Sequence, residues 1–249
     1  MIKRNSQNCS DMWIYGRHAV KAALENPRRV IRRLVTLNSC WDFLRECGGL
    51  SVAPEIVDDV FFNSIFGKNA VHQGCAVYVK KLREYSIEEL ANDELDQRPL
   101  VFLDRVSDPQ NIGSILRASA VFGARAVVMT ENHSPELTPA AIKTASGAAE
   151  FVPLIRVVNL VQTINFLKKH GFWCIGLDEK ANQKIYETSM SGKFILVIGN
   201  EGDGMRRLTR ESCDFLLKLP CSGNFSTLNA AQAATISLYE IQRQKEVKR

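Results

Sequence analysis

The sequence lacks a long apolar run and any pattern of paired cysteines. No stretch approaches the roughly 18 consecutive apolar residues that a membrane span requires, and the first residues, MIKRNSQNCSDMWIYG, contain no continuous apolar core of the kind a secretory signal needs. The seven cysteines are an odd number at irregular spacing without a C-x-x-C pair, which argues against a disulfide framework and a zinc site. We therefore expect a cytoplasmic protein without membrane spans, whose cysteines are free thiols.

Complete metal-binding and dinucleotide-binding motifs are also missing. His72 and Cys75 have metal-ligand spacing, but no second pair follows them, so we expect no bound metal. No G-x-G-x-x-G pattern opens the first strand-to-helix turn of a repeating α/β unit. This absence counts against a nucleotide-dependent dehydrogenase.

Positive charge is concentrated at the start of the chain. The formal net charge is +5, but residues 1–35 contain eight lysines and arginines against two acidic residues, which leaves the remainder near −1. Such a segment can attract phosphate backbones. The alternative is an ordinary solvated helix, because its four clustered arginines also fit an exposed helix side. They are Arg28, Arg29, Arg32 and Arg33.

Before residue 85, the pattern of apolar segments predicts a small α/β domain. Its predicted elements are helices at Arg17–Glu25 and Trp41–Gly48 and strands at Ile31–Leu37 and Gly74–Lys80. Residues 86–98 open with the capping-box pair Ser86 and Glu89 and then become acidic, so we predict a short helix and a linker there.

From residue 99 to residue 249, short apolar strands alternate with helices. The predicted strands are 101–104, 124–130, 150–157, 172–178, 194–199 and 215–220; the predicted helices are 111–122, 138–147, 159–170, one near 205–213 and one from about 228. This alternation predicts a parallel sheet covered on both faces. Ligands of such sheets bind outside the carboxyl ends of the strands, which directs attention to three loops.

The first loop, after strand 101–104, reads RVSDPQNIGSILRASA. Asp108 as N-cap and Pro109 at the first helical position predict a helix start, which places Asn111 in the first turn. Arg117 lies about 140° from Ile112 around the helix axis, away from the apolar stripe. Viewed alone, Arg117 is a surface arginine.

The second loop, GNEGDG at 199–204, follows strand 194–199. Its three glycines allow positive φ and a close approach of the backbone to a ligand. Glu201 is expected either to bind a ligand hydroxyl or to lock the loop.

The third loop, CSGNFSTLNAAQAATISLYE, follows strand 215–220 and crowds hydroxyl and amide side chains at the start of the last helix. The alanines that follow allow that helix to pack very close to a neighbour. They are Ala230, Ala231, Ala233 and Ala234.

Three segments, taken together and in this order, resemble the three motifs of the SpoU/TrmH branch of the SPOUT RNA 2′-O-ribose methyltransferases. They are LDRVSDPQNIGSILRASA, FILVIGNEGDGM and LPCSGNFSTLNAAQA. YGRHAVKAALENPRRVIRRLV and VHQGCAVYV resemble the small RNA-binding domain fused to the members that modify ribosomal RNA. The resemblance implies a small α/β RNA substrate-binding domain at 1–85, a linker at 86–98 and a catalytic domain at 99–249 with a C-terminal trefoil knot. It also implies S-adenosylmethionine as cofactor and a homodimer formed through the catalytic domain. The reaction it implies is methyl transfer to a ribose 2′-hydroxyl, as in the branch that modifies a guanosine of 23S ribosomal RNA.

The resemblance assigns site residues as well. The implied catalytic residues are Asn111, Arg117, Glu201, Ser226 and Asn229. The implied cofactor-binding residues are Gly199, Asn200, Gly204, Leu219, Thr227 and Leu228. Where the family more often has S-S-L-N-V-S, this chain has STLNAA, so one hydroxyl carries an additional methyl group in a tight loop.

Two other functions stay open at this point. One is ribose methylation of transfer RNA, and the other is a non-catalytic RNA-binding or ribosome-assembly role on the same scaffold. The intact Arg117, Glu201 and Asn229 count against the second.

Overall fold

The computed structural model describes residues 11–48, 50–83, 85–132, 139–222 and 228–247. The chain divides into two units. The first comprises Met1–Arg83 together with Pro139–Glu150, and the second comprises Glu84–Thr138 together with Phe151–Arg249. Within the described ranges, no helix is both long and apolar enough to cross a membrane.

The first unit is built on a four-stranded sheet. Its elements before residue 84 are β1 (Asp11–Tyr15), α1 (Arg17–Glu25), β2 (Ile31–Thr36), α2 (Trp41–Cys47), β3 (Pro54–Ile56), α3 (Asp59–Phe66) and β4 (Cys75–Lys80). The strand order is β1-β4-β2-β3; β4 pairs antiparallel with β1 and β2, and β3 pairs parallel with β2. The four elements predicted here are confirmed, whereas β1, β3 and α3 were not predicted.

Aromatic packing explains one of the missed elements. The carboxylate of Asp58 accepts a hydrogen bond from the Phe61 amide (2.9 Å) and so caps α3. Phe62 of α3 is fully buried, and the ring of Trp13 on β1 lies 6.2 Å from that of Phe61 and 5.8 Å from that of Phe66. These contacts join residues far apart in sequence, and they stabilise a helix that has no long periodic pattern of its own.

The second unit contains a seven-stranded parallel sheet in its described part. The remaining elements of the chain are α4 (Ile87–Asn92), β5 (Leu100–Asp104), α5 (Pro109–Val121), β6 (Ala126–Thr130), α6 (Pro139–Thr144, in the first unit), β7 (Leu154–Val157), α7 (Leu160–Lys168), β8 (Trp173–Leu177), β9 (Gln183–Lys184), β10 (Phe194–Gly199), α8 (Arg207–Glu211), β11 (Phe215–Lys218) and α9 (Ala230–Val247). The strand order is β7-β6-β5-β10-β8-β11-β9, and all pairs are parallel. The predicted parallel α/β fold is confirmed.

The sheet is covered on both faces. Alternate residues such as Phe102, Val128 and Val197 pack with α4 and α7 in one core cluster. The opposite face is covered by α5 and α9, which contact each other as well as β6 and β10. The predicted capping box is present, because Ser86 and Glu89 exchange hydrogen bonds at the start of α4. The knot stays a prediction, since residues 223–227 lie outside the described ranges.

The six described cysteines are all free thiols. Burial raises the pKa of the Cys75 thiol. The pKa of Cys174 is raised by the neighbouring Cys213 thiol, whose sulfur lies 3.7 Å away, and by burial. His72 stacks on the Phe62 ring at 4.2 Å, and its Nδ1 accepts a hydrogen bond from the Gly74 amide (3.2 Å). Packing and turn formation therefore account for His72.

The helix interpretation of four early arginines is wrong. They are Arg28 and Arg29, which lie in the turn between α1 and β2, and Arg32 and Arg33, which lie on β2. Several of these charges are already paired: Arg33 donates two hydrogen bonds to Glu55 (3.0 and 2.7 Å), and Arg32 lies 3.7 Å from Asp11. Net charge in this segment therefore overstates the positive charge that is available to a partner.

The first unit contains a buried ion pair. Glu150, in the 3-10 turn after α6, is 3% exposed and accepts hydrogen bonds from both sides of the Arg29 guanidinium and from the Asn26 amide (2.8 Å). Gly147 also packs against α1, because a Cβ there would lie 2.4 Å from the Cβ of Ala22. Residues 139–150 are thus an integral part of this unit.

We predict that Arg29→Gln lowers the free energy of unfolding by roughly 3 to 5 kcal/mol, because it leaves Glu150 buried without its cation. Arg33→Gln is the matched control: its pair with Glu55 is about half exposed and is worth less than about 1 kcal/mol. Urea denaturation of both variants and the parent, followed by circular dichroism, measures the difference. Equal losses in the two variants would contradict this prediction.

Candidate active site

The loop after β10 is a tight hairpin. The backbones of Asn200 and Gly204 exchange two hydrogen bonds (3.1 and 3.0 Å). Gly202 and Gly204 have φ angles of +91° and +67°, the region that glycine adopts without strain. A Cβ on Gly199 would lie 2.3 Å from the carbonyl carbon of Gly204, so no larger residue fits there without moving the loop.

The loop after β5 leads into α5 in the predicted way. Asp108 Oδ1 accepts a hydrogen bond from the Gln110 amide (3.0 Å), and Pro109 is the first helical residue. Asn111 therefore lies in the first turn. Its side-chain Nδ2 donates a hydrogen bond to Glu201 Oε1 over 2.8 Å.

The start of α9 reaches the same carboxylate. Asn229 Oδ1 accepts a hydrogen bond from the Gln232 amide (2.7 Å), and the backbone amide of Ala230 donates to Glu201 Oε1 (3.2 Å). Ala230, Ala231 and Ala234 are buried, and α9 packs against α5 as the small residues predicted.

Glu201 thus joins the three predicted loops. One of its oxygens accepts hydrogen bonds from the first turn of α5 and from the first residue of α9. Because β5 and β10 are neighbours in the sheet, Asn111 and the hairpin start from adjacent strand ends. Of the two roles considered for Glu201, locking the loop is the one that its contacts support.

Arg117 is not brought into contact with these residues. It lies about 9 Å farther along the axis of α5 than Asn111, at 1.5 Å per residue. Its side chain is exposed, as the helical periodicity predicted. Within the described ranges it has no hydrogen-bond or ion-pair partner, so its guanidinium is available to a ligand.

The other predicted cofactor residues lie at the same edge of the sheet or outside the described chain. Leu219 follows β11 directly and is partly exposed, and Leu228, just before α9, is 38% exposed. Ser226 and Thr227 lie outside the described residues.

One charged pair at this edge was missed by the sequence analysis. Asp104, the last residue of β5, is fully buried and pairs with Arg206 after the hairpin. The available signal was an aspartate that ends an apolar strand, but nothing in the sequence indicates its partner 102 residues later. Arg105, next in the chain, is exposed and has a φ of +62°, an uncommon conformation for a non-glycine residue.

Family models match both parts of the chain. Residues 98–239 match the SpoU rRNA Methylase family, and residues 13–85 match the model described as RNA 2′-O ribose methyltransferase substrate binding. The chain belongs to the SpoU rRNA methylase family. The predicted family is therefore confirmed.

Curated members of the SpoU family match nearly the whole chain. It is 38% identical over 239 residues to the 23S rRNA (guanosine-2′-O-)-methyltransferase RlmB of Escherichia coli K12, covering 93% of this chain and 98% of that protein. It is 39% identical over 251 residues to RlmB of Pseudomonas putida, covering 95% and 98%.

Solved structures of methyltransferases share the fold. AviRb of Streptomyces viridochromogenes superposes with a TM-score of 0.79 at 22% identity, covering 96% of this chain and 91% of that one. An AdoMet-bound rRNA methyltransferase of Sinorhizobium meliloti superposes with a TM-score of 0.76 at 20% identity, covering 94% and 87%. These neighbours support the architecture of both units.

We predict that Gly199→Ala destabilises this SpoU protein by about 2 to 3 kcal/mol, because the new methyl group would overlap the backbone of Gly204. Gly202→Ala is the matched control in the same hairpin: its Cβ would meet nothing within 4 Å, so only its positive φ costs energy, about 1 kcal/mol. Thermal unfolding compares the two variants. A larger loss for Gly202→Ala would show that the close approach is unimportant.

Proposed function

We propose that this protein transfers a methyl group from S-adenosylmethionine to the ribose 2′-hydroxyl of a guanosine in 23S ribosomal RNA. The observation that carries the proposal is the convergence of all three family motifs on Glu201 in a chain that is 37–39% identical to RlmB enzymes over at least 93% of its length. A ribosomal RNA substrate also implies that the protein works in the cytoplasm.

The share of this chain that its relatives match favours ribosomal RNA over transfer RNA as the substrate. The TrmH/SpoU tRNA modifying enzyme of A. aeolicus matches only 65% of this chain, with a TM-score of 0.55 at 25% identity. The RlmB proteins match 93–95% of it. Because residues 13–85 match a substrate-binding model, we assign RNA binding to this part of the chain.

The residues at the carboxyl edge suit S-adenosylmethionine. The partly exposed Leu219 and Leu228 offer apolar surface for the adenine ring, and the hairpin at 199–204 presents backbone groups at the same end of the sheet. Bound S-adenosylmethionine supplies a methyl group on a sulfonium, which makes that carbon electrophilic. We assign cofactor binding to Gly199, Asn200, Gly204 and Thr227 as well.

The protein has to align the ribose hydroxyl and assist the loss of its proton, because a neutral hydroxyl is a poor nucleophile. In our proposal Arg117 holds the phosphate of the target nucleotide and polarises its 2′-hydroxyl. The guanidinium is not itself the base, since it carries only N–H donors and has no acceptor atom for a proton. Asn111, Glu201, Ser226 and Asn229 keep the loops and the ribose in position.

A homodimer through the second unit is part of the proposal. On α5 and α9, Val121, Ile236 and Tyr239 are exposed apolar residues, and the ring of Phe122 lies 6.1 Å from that of Tyr239. A second copy that covers this surface would enclose the exposed Arg117 and turn it towards a shared site. Sedimentation equilibrium tests this, and a monomer at micromolar concentration would contradict it.

The reaction is tested with unmodified transcripts of 23S ribosomal RNA and of transfer RNA, with radiolabelled S-adenosylmethionine as donor. We expect a 2′-O-methylguanosine only in the ribosomal transcript.

Arg117→Ala should lower the rate of methyl transfer at least about 100-fold, the scale for losing one stabilising charge, with unchanged cofactor affinity. Arg207→Ala, at an exposed arginine of α8, is the control. Methylation of transfer RNA alone would overturn the substrate assignment, and full activity of Arg117→Ala would overturn the role of Arg117.

We predict that exposed basic residues of the first unit carry part of the RNA affinity. Arg17 and Arg45 are exposed, and replacing both by glutamine should weaken binding of 23S RNA and lower its log–log salt slope by up to about 2. Arg33→Gln should change the slope less, because that charge is already paired with Glu55. Filter binding between 50 and 200 mM salt, as in counterion-release measurements, decides this. An equal change in both proteins would contradict it.

A further inference from the structure

The Asp104–Arg206 pair lies at the carboxyl edge of the parallel sheet. Asp104 ends β5 and is in register with Gly199, the first residue of the hairpin on the neighbouring strand. Its Oδ1 accepts a hydrogen bond from Arg206 Nε (2.7 Å), and its Oδ2 accepts one from the Arg206 backbone amide (2.8 Å). The pair is therefore placed where this sheet binds its ligands.

Asp104 orients the guanidinium of Arg206 but occupies only part of its hydrogen-bonding capacity. Asp104 is fully buried, whereas the Arg206 side chain is 39% exposed. Among the residues that the structure describes, neither Nη atom of Arg206 has a hydrogen-bond or ion-pair partner. The backbone bond to Asp104 would hold the loop even without the guanidinium, so the side-chain bond has a second effect. It fixes the direction in which the two Nη atoms point.

A fixed guanidinium with free Nη atoms binds phosphate well, because its planar donors match the phosphate oxygens. The chain around Arg206 favours a polyanion over a single small anion. Arg105, directly after Asp104, is exposed as well. Two arginines on two adjoining segments suit successive phosphates of a nucleic acid.

We propose that Arg206 binds a backbone phosphate of the RNA substrate beside the target nucleotide, and that Asp104 is the positioning residue that orients it. This inference rests on the proposed function for the identity of the ligand. The role of Arg206 is in binding the RNA, and it is separate from the role of Arg117 in the transfer step.

The test uses the full chain and a 23S transcript. Arg206→Gln should weaken RNA binding about 10-fold and lower the log–log salt slope by about 1, as expected for one lost phosphate contact. Affinity for S-adenosylmethionine, measured by calorimetry, should stay within about 2-fold, because the backbone amide of residue 206 still bonds to Asp104. Arg206→Lys keeps the charge but loses the planar fork of donors. The RNA affinity of this variant should therefore lie between those of the parent protein and Arg206→Gln.

Two further variants separate RNA binding from a structural effect. Arg207→Gln removes the neighbouring arginine, which pairs with Glu211, and should change RNA affinity by less than about 2-fold. A double variant with Asp104→Asn and Arg206→Gln makes the pair neutral. No buried carboxylate is then left without its cation. This double variant should show the same loss of RNA affinity as Arg206→Gln.

Parallel losses of RNA and cofactor affinity would overturn the proposal, because Arg206 would then only hold the hairpin or bind the cofactor carboxylate. An unchanged salt slope would overturn it too. Methyl transfer by the parent protein, measured in the same preparations, tests the proposed function separately. A parent that binds RNA but transfers no methyl group would overturn the enzyme assignment, while a lowered slope in Arg206→Gln would still support the phosphate site.

Discussion

The organisation of the candidate site depends on one carboxylate oxygen. Glu201 Oε1 accepts hydrogen bonds from the Asn111 side chain and from the Ala230 backbone amide, and so holds the starts of α5 and α9 against the hairpin after β10. The three segments come from positions up to 119 residues apart. Charge-assisted hydrogen bonds of this kind are stronger than neutral ones, which suits a junction at an exposed edge.

The polar residues at this edge fall into two groups. Asn111, Glu201, Asn229 and Asp104 each have at least one side-chain atom hydrogen-bonded to another part of the protein, and these bonds fix loops and helix starts. Arg117 and the Nη atoms of Arg206 have no such partner in the described ranges. A rigid framework that leaves selected cations free is what recognition of a charged, structured substrate requires.

Much of this framework could be predicted from the sequence. The Asp108–Pro109 helix start, the Ser86–Glu89 capping box and six of the seven strands of the described parallel sheet depend on local patterns, and these are found. The two-residue strand β9 was not predicted. β1, β3 and α3 escaped prediction because they are short and are stabilised by long-range contacts such as those of Trp13. Pairs such as Asp104 with Arg206 and Arg29 with Glu150 join residues more than 100 positions apart, and a single sequence carries no signal that couples them.

The ion pair of Arg29 with Glu150 has a consequence for chimaeras of this protein. β6 and β7 are neighbours in the parallel sheet, yet the chain between them contributes α6 and Glu150 to the first unit. A first unit taken from another family member would arrive without the crossover residues that complete it. A chimaera that exchanges the amino-terminal segment therefore keeps the native partner of Arg29 only if residues 139–150 are exchanged with it.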